Sequence, residues 1–293
     1  MTIAEALIFA TKFLEKHSIE DASLEAEILL CHVLALNRAS LITHNQQTIE
    51  PQKYETLKHF LFRRAQHEPS AYIIGKQPFM SLDFFVDHSV LIPRPETEQL
   101  VEVVLRVAGH ESQVMILDVG TGSGAIAVSL AKYLPYAKIM GIDSSEEAIK
   151  MAQKNAEYHK VSDRCQFIVG NVLEPLKNVG AAFMAARNKW TVPIFDLIVS
   201  NPPYIPTSEI ENLQPEVKNW EPRQALDGGK DGLFYLRKLI EEGPKLLKKG
   251  GYLILEFGQG QAPALKELAR GTFKKIEILK DFSQKDRIFC GQI

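Results

Sequence analysis

The fold is decided by the stretch Ile-Leu-Asp-Val-Gly-Thr-Gly-Ser-Gly at residues 116–124. Its apolar start is typical of a β-strand and residues 125–134 are typical of a helix, so the glycines form the turn between them. Glycine lets the backbone approach a ligand closely, and the helix start offers unpaired N–H groups. Asp143 lies 19 residues after Gly124, at the end of the next predicted strand, where a carboxylate can accept hydrogen bonds from ribose hydroxyls. Together these features predict a site for a ribonucleotide-like cofactor.

Strand and helix patterns alternate from residue 114 onward, which predicts an α/β domain with a parallel sheet and helices on both faces. The predicted strands are 114–119, 138–142, 165–169, 195–199, 252–257, 275–279 and 287–290. The predicted helices are 98–107, 125–134, 146–158, 233–247 and 264–270. We therefore expect a doubly covered, seven-stranded sheet.

The first part of the chain carries a different pattern. In residues 1–71 apolar residues recur at helical spacing and glycine is absent, which predicts a small all-helical domain. Residues 72–96 contain two β-prone runs, 72–74 and 84–86, which predict a β-hairpin connector. The α/β domain is then expected at residues 97–293.

The composition is that of a globular protein. Hydrophobic residues make up 45% and charged residues 24% of the 293 residues, whereas a disordered chain has fewer apolar residues and a larger net charge. Lys and Arg number 34 and Asp and Glu 36, so the net charge of −2 disfavours a protein that grips long nucleic acid by charge alone. No apolar run reaches the roughly 18 residues that span a bilayer, and no signal-peptide pattern is present. The three cysteines and eight histidines lack metal-ligand spacing, so we predict a cytoplasmic protein without a metal site.

A second motif, Asn201-Pro202-Pro203-Tyr204, follows the predicted strand 195–199. The prolines end the strand and stiffen the turn, and the carboxyl ends of parallel strands share one sheet edge with the glycine loop. The Asn201 side-chain oxygen and the Pro202 carbonyl can accept hydrogen bonds from the two N–H groups of a planar amino nitrogen. The Tyr204 ring offers a flat face to such a group. We therefore predict that Asn201, Pro202 and Tyr204 are catalytic and that Pro203 lies with them in the substrate site.

The Gly-x-Gly-x-Gly loop after Asp118 resembles the first motif of class I S-adenosylmethionine-dependent methyltransferases, whereas dinucleotide folds favour Gly-x-Gly-x-x-Gly. The resemblance implies a Rossmann-like seven-stranded sheet. It also implies S-adenosyl-L-methionine as cofactor and S-adenosyl-L-homocysteine as product, with Asp143 at the ribose and Asn171 at the adenine. The cofactor-binding residues that it implies are Gly120, Thr121, Gly122, Ser123, Gly124, Asp143, Asn171, Val172 and Asn201.

Three further segments resemble the HemK/PrmC family, the peptide chain release factor glutamine methyltransferases. They are Leu-Ile-Pro-Arg-Pro-Glu-Thr-Glu at 91–98, Glu-Pro-Arg-Gln-Ala-Leu-Asp-Gly-Gly at 221–229, and Gly-Gly-Tyr-Leu-Ile-Leu-Glu-Phe-Gly at 250–258 with Gln261. The resemblance covers nearly the whole chain and makes the helical domain the substrate-recognition domain. It implies methylation of the glutamine side-chain nitrogen in the Gly-Gly-Gln motif of class I release factors, which tunes translation termination. It further implies a monomer that binds neither nucleic acid nor a membrane directly.

The chain departs from this family pattern at two places. The family often has an acidic residue followed by tryptophan after the third strand, where this chain has Asn171-Val172. Asn171 can still hydrogen-bond adenine, but Val172 offers less surface for stacking, which bears on cofactor affinity. Residues 177–191 form a longer stretch than the pattern suggests, and we interpret it as a surface insertion.

Other functions share part of the pattern. An N-methyltransferase acting on an exocyclic amino group of a nucleic-acid base uses the same Asn-Pro-Pro-Tyr loop, but its helical domain is expected to be basic. Residues 1–70 hold seven Lys or Arg against nine Asp or Glu, which disfavours phosphate binding. A non-catalytic cofactor-binding module is disfavoured by the presence of both Asn201 and Asp143. A nicotinamide oxidoreductase has no use for Asn-Pro-Pro-Tyr.

Charged residues near these motifs permit two interpretations. Arg94 and Glu96 either contact cofactor or substrate, or form an ion pair within the connector. Glu221 and Arg223 either order a lid over the substrate or pair with each other.

Overall fold

The computed structural model describes residues 1–109, 113–177 and 195–293. The surface insertion predicted at 177–191 lies outside the described residues except for its first position. Within the described parts of the chain, no helix combines the length and the apolar composition needed to cross a membrane.

The chain divides into two compact units. The helical unit consists of residues 1–76 and residues 214–220, and the sheet unit consists of residues 77–213 and 221–293. A short segment from the second half of the chain is therefore part of the helical unit.

Five helices form the N-terminal part of the helical unit. They are α1 (Ile3–Lys16), α2 (Ala22–Leu34), α3 (Arg38–Thr43), α4 (Pro51–Ala65) and α5 (Ser70–Ile74). Thr2 and Glu5 form a capping box at the start of α1, and Pro51 opens α4 at a position whose N–H has no helical partner. Their apolar faces meet in one buried core, as the helical spacing of apolar residues predicts.

The β-prone run 72–74 is helical, so the prediction of extended structure there is wrong. The run forms the end of α5, and Gly75 terminates that helix with φ of 77°. Three residues are too few to distinguish the period of a strand from that of a helix, and burial of Ile73 in the helical core decides the conformation. The predicted hairpin begins after it, with β1 (Lys76–Phe79) and β2 (Leu82–Phe85).

One mixed sheet organises the sheet unit. Its strands are β3 (Met115–Val119), β4 (Lys138–Asp143), β5 (Cys165–Val169), β6 (Phe195–Ser200), β7 (Leu247–Glu256), β8 (Lys275–Lys280) and β9 (Asp286–Gln292). They form seven strands in the order β5-β4-β3-β6-β7-β9-β8. The prediction of parallel pairing holds from β3 to β7, but β9 is antiparallel to β7 and β8. The few residues between β8 and β9 are too short for the crossover that a parallel pair requires.

Helices cover both faces of this sheet. Those in the described part of residues 77–293 are α6 (Pro95–Ala108), α7 (Ala125–Tyr133), α8 (Glu146–Tyr158), α9 (Glu174–Lys177), α10 (Pro215–Lys218), α11 (Phe234–Glu242) and α12 (Ala262–Leu268), of which α10 belongs to the helical unit. Ile116 of β3 is buried in one apolar cluster with Leu100, and the next residue, Leu117, is buried in another with Leu236. Successive residues of β3 thus face different layers, as a sheet covered on both sides requires.

Ion pairs hold α10 within the helical unit. The Glu216 carboxylate accepts hydrogen bonds from both terminal nitrogens of Arg64 at 3.1 Å. Arg64 is buried, and its Nε donates to Glu25 of α2 at 2.8 Å. Because a buried guanidinium needs carboxylate partners, Arg64 ties the segment 214–220 to α2 and α4.

The neighbours of β3 position the site. The chain leaves β3 for β4 on one side and returns to β6 on the other, so the strand order reverses between β3 and β6. Open α/β sheets bind ligands at such a switch point, outside the carboxyl ends of the strands. The register pairs Val119 with Ser200. Gly120 and Asn201 follow these two residues and therefore lie at the same sheet edge. The two motifs that the sequence singles out are therefore adjacent in the fold.

Candidate active site

The glycine loop between β3 and α7 exposes its backbone. Gly120 and Gly122 have φ of 72° and 54°, in the left-handed region that favours glycine, and a Cβ at either position would meet open space. A Cβ at Gly124 would lie 3.0 Å from the Cβ of Ala152, so the third glycine lets the start of α7 pack closely on α8. The first two glycines leave room for a ligand, whereas the third serves packing.

Side chains beneath the loop hold its shape. Thr121 and Ser123 are both buried, and the Thr121 hydroxyl donates to the carboxylate of Asp118 at 2.7 Å. Burial raises the pKa of Asp118 to about 7. The Ser123 carbonyl accepts a hydrogen bond from Asn155 of α8 at 2.8 Å. The structure thus places Thr121 and Ser123 as supports of the loop.

Asp143 faces the glycine loop from the end of β4. One carboxylate oxygen accepts a hydrogen bond from the Gly122 N–H at 2.8 Å, and the other accepts from the Ser145 N–H at 3.0 Å. Each oxygen has more than one acceptor site, so the carboxylate can accept further hydrogen bonds from hydroxyl groups. Burial raises its pKa, and the backbone N–H donors oppose that rise. Asp143 therefore shapes the loop and remains able to bind a diol.

A cleft lies at this sheet edge. The sequence-predicted residues in its lining are Gly120, Gly122, Asp143, Asn171, Val172, Asn201, Pro202 and Pro203. Leu91, Pro222 and Tyr235 contribute to the other walls. An open glycine backbone and a carboxylate acceptor fit S-adenosylmethionine, whose ribose offers hydroxyl donors.

Asn171 and Val172 lie at the start of the turn after β5. The Asn171 side-chain nitrogen donates to the Glu174 carboxylate at 3.3 Å. Val172 lines the cleft, is 8% exposed and has φ of 52°. A β-branched residue is strained in this left-handed region, so the backbone here is held by its surroundings. The apolar contact that Val172 offers to the cleft is smaller than that of an aromatic ring.

A buried hydrogen-bonded chain lies behind Asn201. The Asn201 side-chain nitrogen donates to the Thr97 hydroxyl oxygen at 3.0 Å, and the Thr97 hydroxyl donates to the Glu256 carboxylate at 2.8 Å. The Tyr204 hydroxyl donates to the other Glu256 oxygen at 3.3 Å. Burial and the neighbouring carboxylate raise the pKa of Tyr204, so its hydroxyl stays protonated. The cleft residue Asn201 and the motif residue Tyr204 are thus joined through one carboxylate.

The backbone of Tyr204 is fixed by close packing. The Gln261 side-chain nitrogen donates to the Tyr204 carbonyl at 2.9 Å, and the Gln261 oxygen accepts from the Gly258 N–H at 2.8 Å. A Cβ on Gly228 would lie 2.7 Å from the Tyr204 Cα, and one on Gly232 would overlap the Tyr204 carbonyl oxygen. Gly228 and Gly232 therefore allow the chain to pack directly against the Asn-Pro-Pro-Tyr loop.

Arg94 forms an ion pair with Glu221, whose side chain is buried. Burial raises the pKa of Glu221, and the Arg94 guanidinium opposes that rise. Arg223 pairs instead with Glu211 at 3.4 Å and Asp227 at 3.8 Å. Arg94 is thus paired with a residue outside the connector, and Glu221 is paired with Arg94 and not with Arg223, so neither pairing that the sequence suggested is the one seen.

Sequence reasoning assigned no role to Thr97, Glu256 or Gln261. All three lie within or beside the segments that resemble the HemK/PrmC family, at 91–98 and 250–261. A polar residue that ends a buried strand, as Glu256 does, was the available signal. Their partners are distant in the sequence, so only the fold reveals what they contact.

Comparisons with known proteins agree with this arrangement. Residues 5–75 match the family model described as the PrmC N-terminal domain, and residues 110–292 match that of a methyltransferase domain. Among solved structures, a methyltransferase from Pyrococcus furiosus is similar in fold, with a TM-score of 0.50 and 18% identity over 73% of this chain and 89% of that chain. A mixed seven-stranded sheet with its cleft at the β3/β6 switch point belongs to class I S-adenosylmethionine-dependent methyltransferases, and this chain is one of them.

Curated relatives are similar over nearly the full length. The release factor glutamine methyltransferase of Geobacter sulfurreducens is 42% identical over 293 residues, which cover 100% of this chain and 97% of that protein. The release factor glutamine methyltransferase of Thermodesulfovibrio yellowstonii is 42% identical over 271 residues, covering 92% of this chain and 91% of that protein. The chain belongs to the release factor glutamine methyltransferase family, which confirms the resemblance to HemK/PrmC.

Proposed function

We propose that this enzyme transfers a methyl group from S-adenosyl-L-methionine to the side-chain nitrogen of the glutamine in the Gly-Gly-Gln motif of class I release factors. One observation supports placing this reaction at Asn201. The Asn201 side-chain nitrogen is taken up by Thr97 at 3.0 Å, and Asn201 lines the cleft. Its oxygen is then the atom that the side chain offers to the cleft, and an oxygen accepts the N–H of an amide substrate.

The proposed roles follow from the chemistry of an amide nitrogen. This nitrogen is a poor nucleophile because its lone pair is delocalised into the neighbouring carbonyl. Asn201 Oδ1 and the Pro202 carbonyl accept hydrogen bonds from its two N–H groups and fix the orientation of the amide. Tyr204 packs on the planar amide, and Pro203 stiffens the turn. When bound, S-adenosylmethionine supplies an electrophilic methyl group. Held geometry of this kind can lower a barrier by up to about 7–11 kcal/mol. No general base is needed before transfer, because the proton that the nitrogen loses becomes acidic only after the methyl group has been transferred.

Cofactor binding is assigned to the loop and its neighbours. The open backbone at Gly120 and Gly122 lies against the methionine part, and the Asp143 carboxylate accepts the ribose hydroxyls. Asn171 hydrogen-bonds the adenine and Val172 contacts it. Supporting this assignment, all five residues line the same cleft. Thr121, Ser123 and Gly124 contribute by holding the loop.

The domains are assigned separate tasks. The helical unit, residues 1–76 with 214–220, recognises the release factor, and the sheet unit, residues 77–213 with 221–293, binds the cofactor and carries out the transfer. The slight acidic excess of the first 70 residues supports a protein substrate over direct nucleic-acid binding. We place the enzyme in the cytoplasm, where translation terminates, and expect a monomer that does not associate with membranes. Light scattering of the purified protein tests whether it is a monomer.

Transfer of a tritiated methyl group from S-adenosylmethionine to a purified class I release factor tests the function. Label is expected on the unaltered factor and is expected to be absent when the glutamine of its Gly-Gly-Gln motif is changed to alanine. Ribosomal RNA and DNA are offered in parallel reactions. Label on nucleic acid and none on the factor would overturn the proposed substrate in favour of base amino-group methylation.

A further inference from the structure

The orientation of the Asn201 carboxamide decides whether it can bind a substrate amide. Its oxygen accepts hydrogen bonds and its nitrogen donates them. A reversed carboxamide would present N–H donors to the N–H donors of the glutamine. Because the two ends of a carboxamide have nearly the same shape, packing alone does not select between them. A polar partner of fixed character has to do so.

Thr97 has that fixed character because of Glu256. Glu256 is 1% exposed, and an ionised carboxylate only accepts hydrogen bonds. When Glu256 is ionised, the Thr97 hydroxyl hydrogen is committed to Glu256 at 2.8 Å, and the Thr97 oxygen is left to accept from Asn201 at 3.0 Å. The Tyr204 hydroxyl donates to the second Glu256 oxygen, so both donors converge on the carboxylate. Hydrogen bonds are thus donated in one direction, from Asn201 to Thr97 and from Thr97 to Glu256.

Rigid elements place these groups. β6 and β7 are parallel neighbours with Ser200 paired to Leu255, so Asn201 and Glu256 follow at adjacent strand ends. Thr97 lies in the first turn of α6, which packs on both strands, and it is 4% exposed. Sites built on strands and helices hold their geometry better than sites built on loops alone.

We infer that Thr97 and Glu256 are positioning residues that fix the Asn201 carboxamide with its oxygen toward the substrate. The inference rests on the proposed function of Asn201. It goes beyond that function because neither residue touches the cofactor or the substrate amide in this assignment. Thr97 and Glu256 act only through the direction of the hydrogen bonds they impose.

The ionisation state of Glu256 determines whether this orientation holds. Burial raises its pKa to about 7, whereas Thr97, Arg287 and Tyr204 lower it and Glu96 raises it further. Protonation would allow the carboxyl group to donate to Thr97 and would free the Thr97 hydroxyl to donate to Asn201. The reversed carboxamide would then be stabilised. Ionised Glu256 is therefore the form that specifies the productive orientation.

Thr97→Val and Thr97→Ser separate this role from packing. Valine keeps the shape and removes the hydroxyl, so we expect kcat for release factor methylation to fall about tenfold or more, with the dissociation constant for S-adenosylmethionine nearly unchanged. Serine keeps the hydroxyl and is expected to restore most of the activity. Glu256→Gln provides a second variant of wild-type shape. It is expected to lower kcat, because a glutamine amide can donate to Thr97 and so free the Thr97 hydroxyl to donate to Asn201. It is not expected to lower stability.

A readout independent of turnover completes the test. In ¹⁵N spectra, the side-chain NH₂ of Asn201, assigned by its loss in Asn201→Ala, is expected to show a hydrogen-bonded shift in the wild type and in Thr97→Ser, but not in Thr97→Val. Unchanged kcat in Thr97→Val, or an unchanged Asn201 NH₂ signal, would overturn the inference. A wild-type enzyme that does not label the release factor overturns the proposed function instead, and the spectra then still decide whether Thr97 orients Asn201.

Discussion

A Cβ atom placed on Gly228 would lie 2.7 Å from the Cα atom of Tyr204. The same position would bring it to 2.8 Å from the Tyr204 carbonyl carbon and from the Gly232 carbonyl oxygen. All three are backbone atoms, so no side-chain rotation relieves the overlap. The segment that contains Gly228 and the Asn-Pro-Pro-Tyr loop therefore fit only when residue 228 has no side chain.

We expect Gly228→Ala to displace Tyr204 and reduce methyl transfer. Overpacking of this kind costs about 1–3 kcal/mol of stability. Gly243→Ala is the matched control, because its Cβ would meet its nearest neighbour, a Leu253 methyl group, at an ordinary 3.5 Å. Thermal unfolding and kcat/KM are measured for both variants. Equal behaviour of the two would show that the close approach at Gly228 does not constrain the loop.

We expect Asn201→Ala to abolish methyl transfer while leaving cofactor affinity largely intact. The substitution removes the side-chain acceptor proposed for the substrate amide, but the glycine loop and Asp143 remain. Tritium transfer measures turnover and titration calorimetry measures S-adenosylmethionine binding. Normal turnover by this variant would refute the role of Asn201.

Asp143→Ala is expected to weaken binding of S-adenosylmethionine by about tenfold to a hundredfold, the range for losing a hydrogen bond to a charged group. The Gly122 N–H also loses its acceptor, so the loop loosens as well. Glu147→Ala, in the first turn of α8 and exposed, serves as the control. Calorimetry that finds the same affinity in Asp143→Ala and the wild type would contradict the ribose assignment.

Glu256 is expected to make stability fall as pH rises. Its pKa is about 7 in the folded protein and 4.5 ordinarily, so between these values the folded state holds the proton more tightly than the unfolded state does. Ionisation of the buried carboxylate therefore lowers the free energy of unfolding. The full loss is reached above pH 7 and disappears as pH falls toward 4.5. A shift of this size corresponds to about 3 kcal/mol.

Urea unfolding of the wild type and Glu256→Gln at acidic and alkaline pH measures this effect. Glutamine does not ionise, so its advantage over the wild type is expected to grow by up to about 3 kcal/mol as pH rises through the interval. Asp118, whose pKa is also raised to about 7 by burial, contributes equally to both proteins and cancels in the difference. A difference in unfolding free energy that stays constant with pH would contradict the prediction.

The local motifs were predictable because each carries its own chemistry. The glycine loop, Asp143 and Asn201 follow predicted strands, and the rule that parallel strands present their carboxyl ends at one edge brings them together. Thr97 and Glu256 were not predictable in role. Thr97 meets Asn201 and Glu256 across separations of 104 and 159 residues in the sequence, and no local pattern records such a contact.

Two further features depended on tertiary contacts. The run 72–74 has β-prone side chains but ends α5, because burial outweighs a weak local preference. The segment 214–220 reads as a continuation of the α/β region, yet Arg64 and Glu216 make it part of the helical unit. The sequence contains the charges, but it does not state which carboxylate a buried arginine selects.

The contribution of residues 214–220 to the helical unit bears on the order in which the protein matures on the ribosome. Chains emerge N-terminus first, and domains generally fold as units during synthesis. The buried guanidinium of Arg64 has only part of its carboxylate set until Glu216 has been made. The first unit to be translated is therefore completed only after most of the sheet has left the exit tunnel. A truncated or transplanted N-terminal module would need to carry this late segment with it.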